Sequence, residues 1–210
     1  MLSPRLQAVA AQICAPVHAD IGTDHAKLPC YLLDHGRVER IIAVEKHPGP
    51  YARACRALQG YAAEVRRGDG LQPLLSAETN SLSITGMGAL NIVHILKAYP
   101  DRLPARLVLQ PMDECQPIRV WGLQYGYHLL AEHWVEPHTV LTFGQSPGDD
   151  PVYHDLPRAA ALRFGPHLLR QPGLRPRLLS LRLWIEKHQT PHYFADLQSC
   201  IAEALEHCSD

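Results

Sequence analysis

No stretch of the sequence approaches the roughly 18 consecutive apolar residues that a membrane-crossing helix needs. Residues 1–13 also lack the basic-then-apolar layout and cleavage site of a secretory leader, so a cytoplasmic protein without a membrane partner is expected. An excess of one charge is missing too: 20 Lys and Arg stand against 21 Asp and Glu, a net charge of −1. A polyanionic partner would therefore have to be met by a local basic patch. The cysteines Cys14, Cys30, Cys55, Cys115, Cys200 and Cys208 include no C-x-x-C pair. Such spacing suits neither a zinc site nor a disulfide framework and fits reduced thiols, so no metal is expected. The G-x-G-x-x-G fingerprint is also absent, which argues against a dinucleotide pyrophosphate and an NAD-linked oxidoreductase.

What is present reads as a globular α/β chain, with 46% hydrophobic and 20% charged residues. Short β-branched or apolar runs at residues 17–22, 40–46, 64–69, 81–87 and 106–111 alternate with helical patterns at 26–36, 50–60, 89–99 and 114–125. This alternation predicts βαβ units and a mainly parallel sheet, which gathers ligands at the carboxyl ends of its strands. Residues 127–135 and 139–144 then follow one another directly around Glu136-Pro137-His138, the pattern of an antiparallel hairpin at the sheet edge. A doubly wound sheet closed by such a hairpin is the layout of Rossmann-like class I methyltransferases. The turn-rich run 145–151 marks a boundary between a domain at 1–150 and a helical extension at 151–210. Within the extension, residues 157–169 and 176–206 read as helices, broken by Pro172-Gly173 and by Pro191. Trp184, Tyr193 and Phe194 read as packing residues rather than base platforms.

The strand ends carry the chemistry. Asp20-Ile21-Gly22-Thr23-Asp24-His25 closes the first strand with a glycine that lets a ligand approach the backbone, just where a helix opens. Glu45-Lys46 ends the second strand, where a carboxylate can accept both ribose hydroxyls. Gly68-Asp69-Gly70 ends the third and offers an aspartate to an adenine amino group, and Gly86-Met87-Gly88 ends the fourth at the topological switch. Gln110-Pro111 ends the fifth with an amide and a rigid carbonyl suited to reading a planar base. Carboxylates at successive strand ends suit the ammonium and sulfonium of S-adenosylmethionine, which carries no phosphate. Asp24 has a structural alternative as a cap for the helix that follows it.

These motifs, spread in order over residues 3–145, resemble the bacterial tRNA (adenine-22-N1)-methyltransferase family. The resemblance continues weakly through Phe164-Gly165-Pro166-His167-Leu168 into the helical tail. It implies S-adenosylmethionine contacts at Asp20, Gly22, Thr23, His25, Glu45, Asp69, Gly70, Met87 and Gly88, with Lys46, Gly68 and Gly86 beside them. It further implies Asp24 as the catalytic carboxylate, and Gln110 and Pro111 as the wall against the target adenine. The family usually has tyrosine where Lys27 stands, a second glycine at Ala89 and asparagine at Met112. A basic stripe, Arg158, Arg163, Arg170, Arg175, Arg177 and Arg182, is the expected contact for tRNA phosphates, with a solvated helix face as the alternative. Methylation of another RNA base or of a small molecule, or RNA binding without catalysis, stays open, as does the choice between monomer and homodimer.

Overall fold

A computed structural model describes residues 2–188 and 194–208. Its sheet has seven strands: β1 (Ala15–Ile21), β2 (Val38–Glu45), β3 (Ala63–Arg67), β4 (Ser81–Met87), β5 (Arg106–Pro111), β6 (Tyr127–Val135) and β7 (His138–Gln145). They run in the order β3-β2-β1-β4-β5-β7-β6, parallel throughout except for β7, which pairs antiparallel with both β5 and β6. The expected hairpin is present. Instead of closing the edge directly after β5, it places its second strand inside and its first strand outermost.

Central strands β1, β2 and β5 end in unbroken buried runs, as required when helices cover both faces. On one face lie α1 (Pro4–Ala11), α2 (Lys27–Asp34) and α3 (Pro48–Ala57), whose Val9, Leu32 and Ala54 pack with Ile41, Ala43 and Val108. On the other lie α4 (Ala89–Ala98) and α5 (Gln116–Tyr125), which bury Ile92, Leu96 and Trp121 against Ile84, Leu109 and Phe143. Each such aliphatic side chain contributes roughly 1.5–3 kcal/mol on burial. Helix α1 had no counterpart among the sequence expectations; its only local signal is Ser3-Pro4, a cap followed by proline in the first turn. No described helix is long and apolar enough to cross a membrane.

The chain then enters a helical part: α6 (Arg158–Phe164), α7 (Pro166–Leu169), α8 (Leu174–Lys187) and α9 (Ala195–His207). The helix expected over 157–169 is interrupted at Gly165, whose φ of 102° no helix accepts. A Cβ at Gly165 would lie 2.5 Å from the Glu132 carboxylate, so only glycine lets the chain pass there. Helix α8 starts earlier than expected, directly after Gly173. The expected break at Pro191 and the packing role of Tyr193 lie outside the described residues. Phe194 packs against the core of this part beside Leu178, Ile185 and Ile201, whereas Trp184 is half exposed and stacks on His188 at 4.4 Å.

A buried ion pair joins the helices to the sheet. Arg119 of α5 meets Glu132 of β6 at 2.7 Å and donates to the carbonyls of Leu162 and Arg163 at 2.9 and 2.8 Å. Glu132 also accepts the His167 N–H at 3.0 Å. Asp150 ties the connection down by accepting from Leu129 N–H at 2.7 Å and Val152 N–H at 3.1 Å.

Candidate active site

β1 is flanked by β2 on one side and β4 on the other, so the strand order reverses there and leaves a crevice at the carboxyl ends of these parallel strands. Two adjoining clefts occupy it. The first, about 380 Å³, is lined by Gly22, Glu45, Lys46, Gly68, Asp69, Gly70 and Met87. The second, about 390 Å³, is lined by Asp20, Gly22, Thr23, Asp24, His25 and Gly86. Gly22 is the shared wall. Its φ is +76°, and a Cβ there would collide with the Met87 methyl, so glycine both makes the turn and admits Met87 between the clefts. Met87 owes its aim to a bulge at Gly86, where the β4–β5 register shifts.

Glu45 is almost fully buried, yet its charge is met by main-chain donors: the N–H groups of Lys46 at 2.9 Å, His47 at 3.1 Å and Asp24 at 3.1 Å. The same carboxylate thus faces the first cleft and fastens the turn that shapes the second. Asp69 is exposed and holds Lys46 at 2.7 Å. Asp20 is buried and accepts from Ser83 Oγ at 2.6 Å. Burial holds its carboxyl above the usual range, opposed by the Ser83 and Thr23 hydroxyls. Behind it, His18 lies between Ser81 Oγ at 2.7 Å and Ser83 Oγ at 2.9 Å, its pKa drawn down to about 3 by burial. Because Ser83 gives its proton to Asp20, it must accept from His18 Nε2–H, and Nδ1 accepts from Ser81. Neither the His18–Ser83–Asp20 chain nor its serines were anticipated from the sequence.

Asp24 does not cap the following helix. Helix α2 starts at Lys27 after Ala26, with no side-chain cap, and Asp24 itself has φ 42°. Left-handed backbone at both Asp24 and Ala26 turns the aspartate out of capping position. Its carboxylate meets Arg53 of α3 at 2.6 Å and lies 3.5 Å from His25. Two non-glycine residues in this region cost on the order of 1 kcal/mol each, strain of the kind concentrated at functional sites.

Other expected residues fall outside both clefts. Gln110 is fully buried, its Oε1 accepting from Arg5 and from Gly86 N–H at 3.2 Å, while its Nε2 donates to the Pro111 carbonyl. Pro111 is buried beside it. The reason is tertiary: Gln110 pairs with Thr85 of β4, and its amide is held by Arg5 of α1 and by the Gly86 N–H. Gly88 caps α4 and leaves room for Asp113, which accepts the Ala89 N–H at 2.7 Å. Ala89 in turn buries its methyl in the core, so a second glycine is not required. Sequence reading missed Arg5, Asn91, His94 and Ile95. The last three line the first cleft from one face of α4, at a helical spacing a periodicity argument could have caught. Arg5, from α1, lines the second cleft with Lys27.

Every arginine of the tail stripe has an intramolecular partner. Arg163 pairs with Glu114 at 2.9 Å, Arg177 with Glu136 and the Trp134 ring, and Arg182 with Glu186 at 3.8 Å. Arg158 lies over the Tyr153 ring, Arg170 donates to the Val152 and His154 carbonyls, and Arg175 donates to Leu205 O at 2.9 Å.

With this geometry in view, likeness to known proteins becomes informative. A family model described as a methyltransferase domain matches residues 2–141. The tRNA (adenine(22)-N(1))-methyltransferase of Bacillus subtilis is 34% identical over 199 residues, covering 90% of this chain and 82% of its own length. The chain belongs to the tRNA (adenine-22-N1)-methyltransferase family. The crystal structure of the B. subtilis tRNA m1A22 methyltransferase superposes with a TM-score of 0.85 at 30% identity, covering 98% of this chain and 99% of the other. A Streptococcus pneumoniae protein, a candidate tRNA (m1A22) methyltransferase solved with S-adenosyl-L-methionine, gives 0.83 at 26% identity over 98% and 100% of the two chains. Lys27 is exposed on the second cleft, and Met112 is exposed outside both clefts.

Proposed function

We propose that this chain is a cytoplasmic S-adenosylmethionine-dependent methyltransferase acting on N1 of an adenine in tRNA, adenine 22 by its family. The observation that carries the reading is the pair of clefts sharing Gly22, one lined by Glu45 and Asp69 and the other by Asp20 and Asp24. The donor set fits the cofactor. Glu45 would accept from the ribose hydroxyls, Asp69 from the adenine amino group, and Asp20 would offer a carboxylate to the ammonium. When bound there, S-adenosylmethionine would supply an electrophilic methyl carbon.

The residues of the chain have two tasks. N1 of neutral adenine already has a lone pair, so no base is needed to create the nucleophile; it must be held in line at near-attack distance, a gain of several kcal/mol. Methylation leaves the ring cationic. Asp24, held by Arg53 and facing the second cleft, stabilises that charge or accepts the N6 proton afterwards. Because N1 is on the Watson–Crick edge, the RNA has to open for the target to enter. Residues 1–150 then carry the cofactor and the chemistry, and 151–210 serve as a docking extension. Arg163 and Arg177 border a further cleft of about 530 Å³ between the helices and the β5–α5 loop and are the stripe residues best placed to meet tRNA.

Lys27 and Met112, exposed where the family usually has tyrosine and asparagine, favour a second reading in which another base is methylated. One experiment separates the readings: unmodified bulk tRNA is incubated with protein and cofactor, then digested for nucleoside mass spectrometry. N1-methyladenosine is expected. A different methylated nucleoside would relocate the substrate, and bound cofactor with no methyl transfer would mark a non-catalytic RNA-binding protein.

A further inference from the structure

We infer that Arg5 and Lys27 grip the phosphodiester backbone of the target nucleotide at the rim of the second cleft; this rests on the tRNA reading above. The argument begins with charge. The tail arginines are engaged within the chain by carboxylates, main-chain carbonyls or a ring, whereas Arg5 and Lys27 line an open cleft and have no carboxylate partner among the described residues. Arg5 bonds only the neutral amide of Gln110, and Lys27, exposed at the start of α2, has no hydrogen bond or ion pair there. The two acids of the same cleft are committed elsewhere, Asp24 to Arg53 and Asp20 to Ser83.

Position supplies the second step. Arg5 from α1 and Lys27 from α2 line one cleft, together with the Thr85–Gly86 strand end. Gln110 Oε1 also accepts the Gly86 N–H, so the amide that orients the Arg5 guanidinium is itself fixed to the sheet. An arginine braced on one side presents its remaining donors in the planar fork that suits phosphate oxygens. Partial burial draws Arg5 below the usual arginine range, as expected for a cation not yet matched by an anion. Lys27 also borders an open groove of about 590 Å³ reaching Gln7, Tyr31 and His35. A polynucleotide whose base enters the cleft must continue on both sides, and this groove gives one side a path past Lys27.

Binding of unmodified tRNA, measured by fluorescence anisotropy across a salt series, tests the inference on wild type, Arg5→Gln, Lys27→Gln and Arg5→Lys. Each neutralising variant is expected to lower the slope of log K against log salt by about one and to weaken binding most at low salt. Arg5→Lys keeps the charge and should keep the slope. Cofactor affinity, titrated calorimetrically, should stay within about twofold of wild type, which separates loss of a phosphate contact from collapse of the Gln110 region. Wild-type slopes in both Gln variants would overturn the grip while leaving the tRNA reading intact. A wild-type chain that binds no tRNA would overturn both.

Discussion

At the carboxyl edge of the sheet, charged side chains face open clefts; in the helical tail and its seam, they face one another. Glu45 and Asp69 border one cleft and Asp20 and Asp24 the other, whereas Arg119 and Glu132 are sealed between α5, β6 and the start of the tail. The edge takes on strain and buried charge so that a ligand can complete it. The seam is already complete, with Arg119 satisfied by Glu132 and two main-chain carbonyls. A count of basic residues along the chain therefore points to the tail, whose arginines are engaged by carboxylates, carbonyls or a ring, while Arg5 and Lys27 at the edge face an open cleft.

The largest test of this contrast is at the seam. Arg119→Met leaves Glu132 buried without its counter-charge and should destabilise the fold by about 3–5 kcal/mol in urea unfolding. Adding Glu132→Leu should recover much of that loss; no recovery would mean that the carbonyl contacts, not the charge, hold the helices. At the edge, Asp24→Asn should lower the single-turnover rate by about 100-fold while changing cofactor affinity less than about twofold. An unchanged rate would assign Asp24 to shaping the turn alone.

The buried histidine behind Asp20 gives a smaller, pH-dependent effect. His18 has a folded pKa near 3, far below the ordinary 6.5, so it is neutral in the fold and protonated in the acid-unfolded chain. Stability from this group is full above pH 6.5 and is lost as pH falls toward 3, at up to about 1.4 kcal/mol per pH unit. Asp20, whose carboxyl is raised, acts with the opposite sign, but it is present in both proteins compared. His18→Gln should therefore gain on wild type between pH 7 and pH 5 in denaturant titrations. A constant difference between the two proteins would refute the assignment. The smallest effect belongs to the tail surface: Arg182→Ala removes a solvated pair 3.8 Å long and should shift stability by less than about 0.5 kcal/mol. A much larger loss would show that the tail helices depend on their surface charges.

Much of the edge was legible because each motif is local. A strand end, a glycine and an acid within six residues, as in Asp20–His25, specify a turn and its chemistry together. Gln110 shows the limit of that logic. Its place at the end of β5 was readable, but its direction depends on Arg5, which is 105 positions away. Asp24 is similar, since the capping role that stood as its structural alternative gives way to Arg53 and to a left-handed backbone conformation. The tail was hardest to read, because a helix pattern through Gly165 carries no sign that Glu132 stands in the way.

By itself, the sequence determined the alternation of strands and helices, the hairpin and the carboxylates at the strand ends, since periodicity and turn chemistry act over a few residues. Only the tertiary structure decided which charges remain without an acidic partner. Long side chains such as Arg5, Arg53, Arg119 and Arg175 take partners far away in the chain, and whether a cation meets a carbonyl, a carboxylate or an open cleft depends on which elements packing brings together.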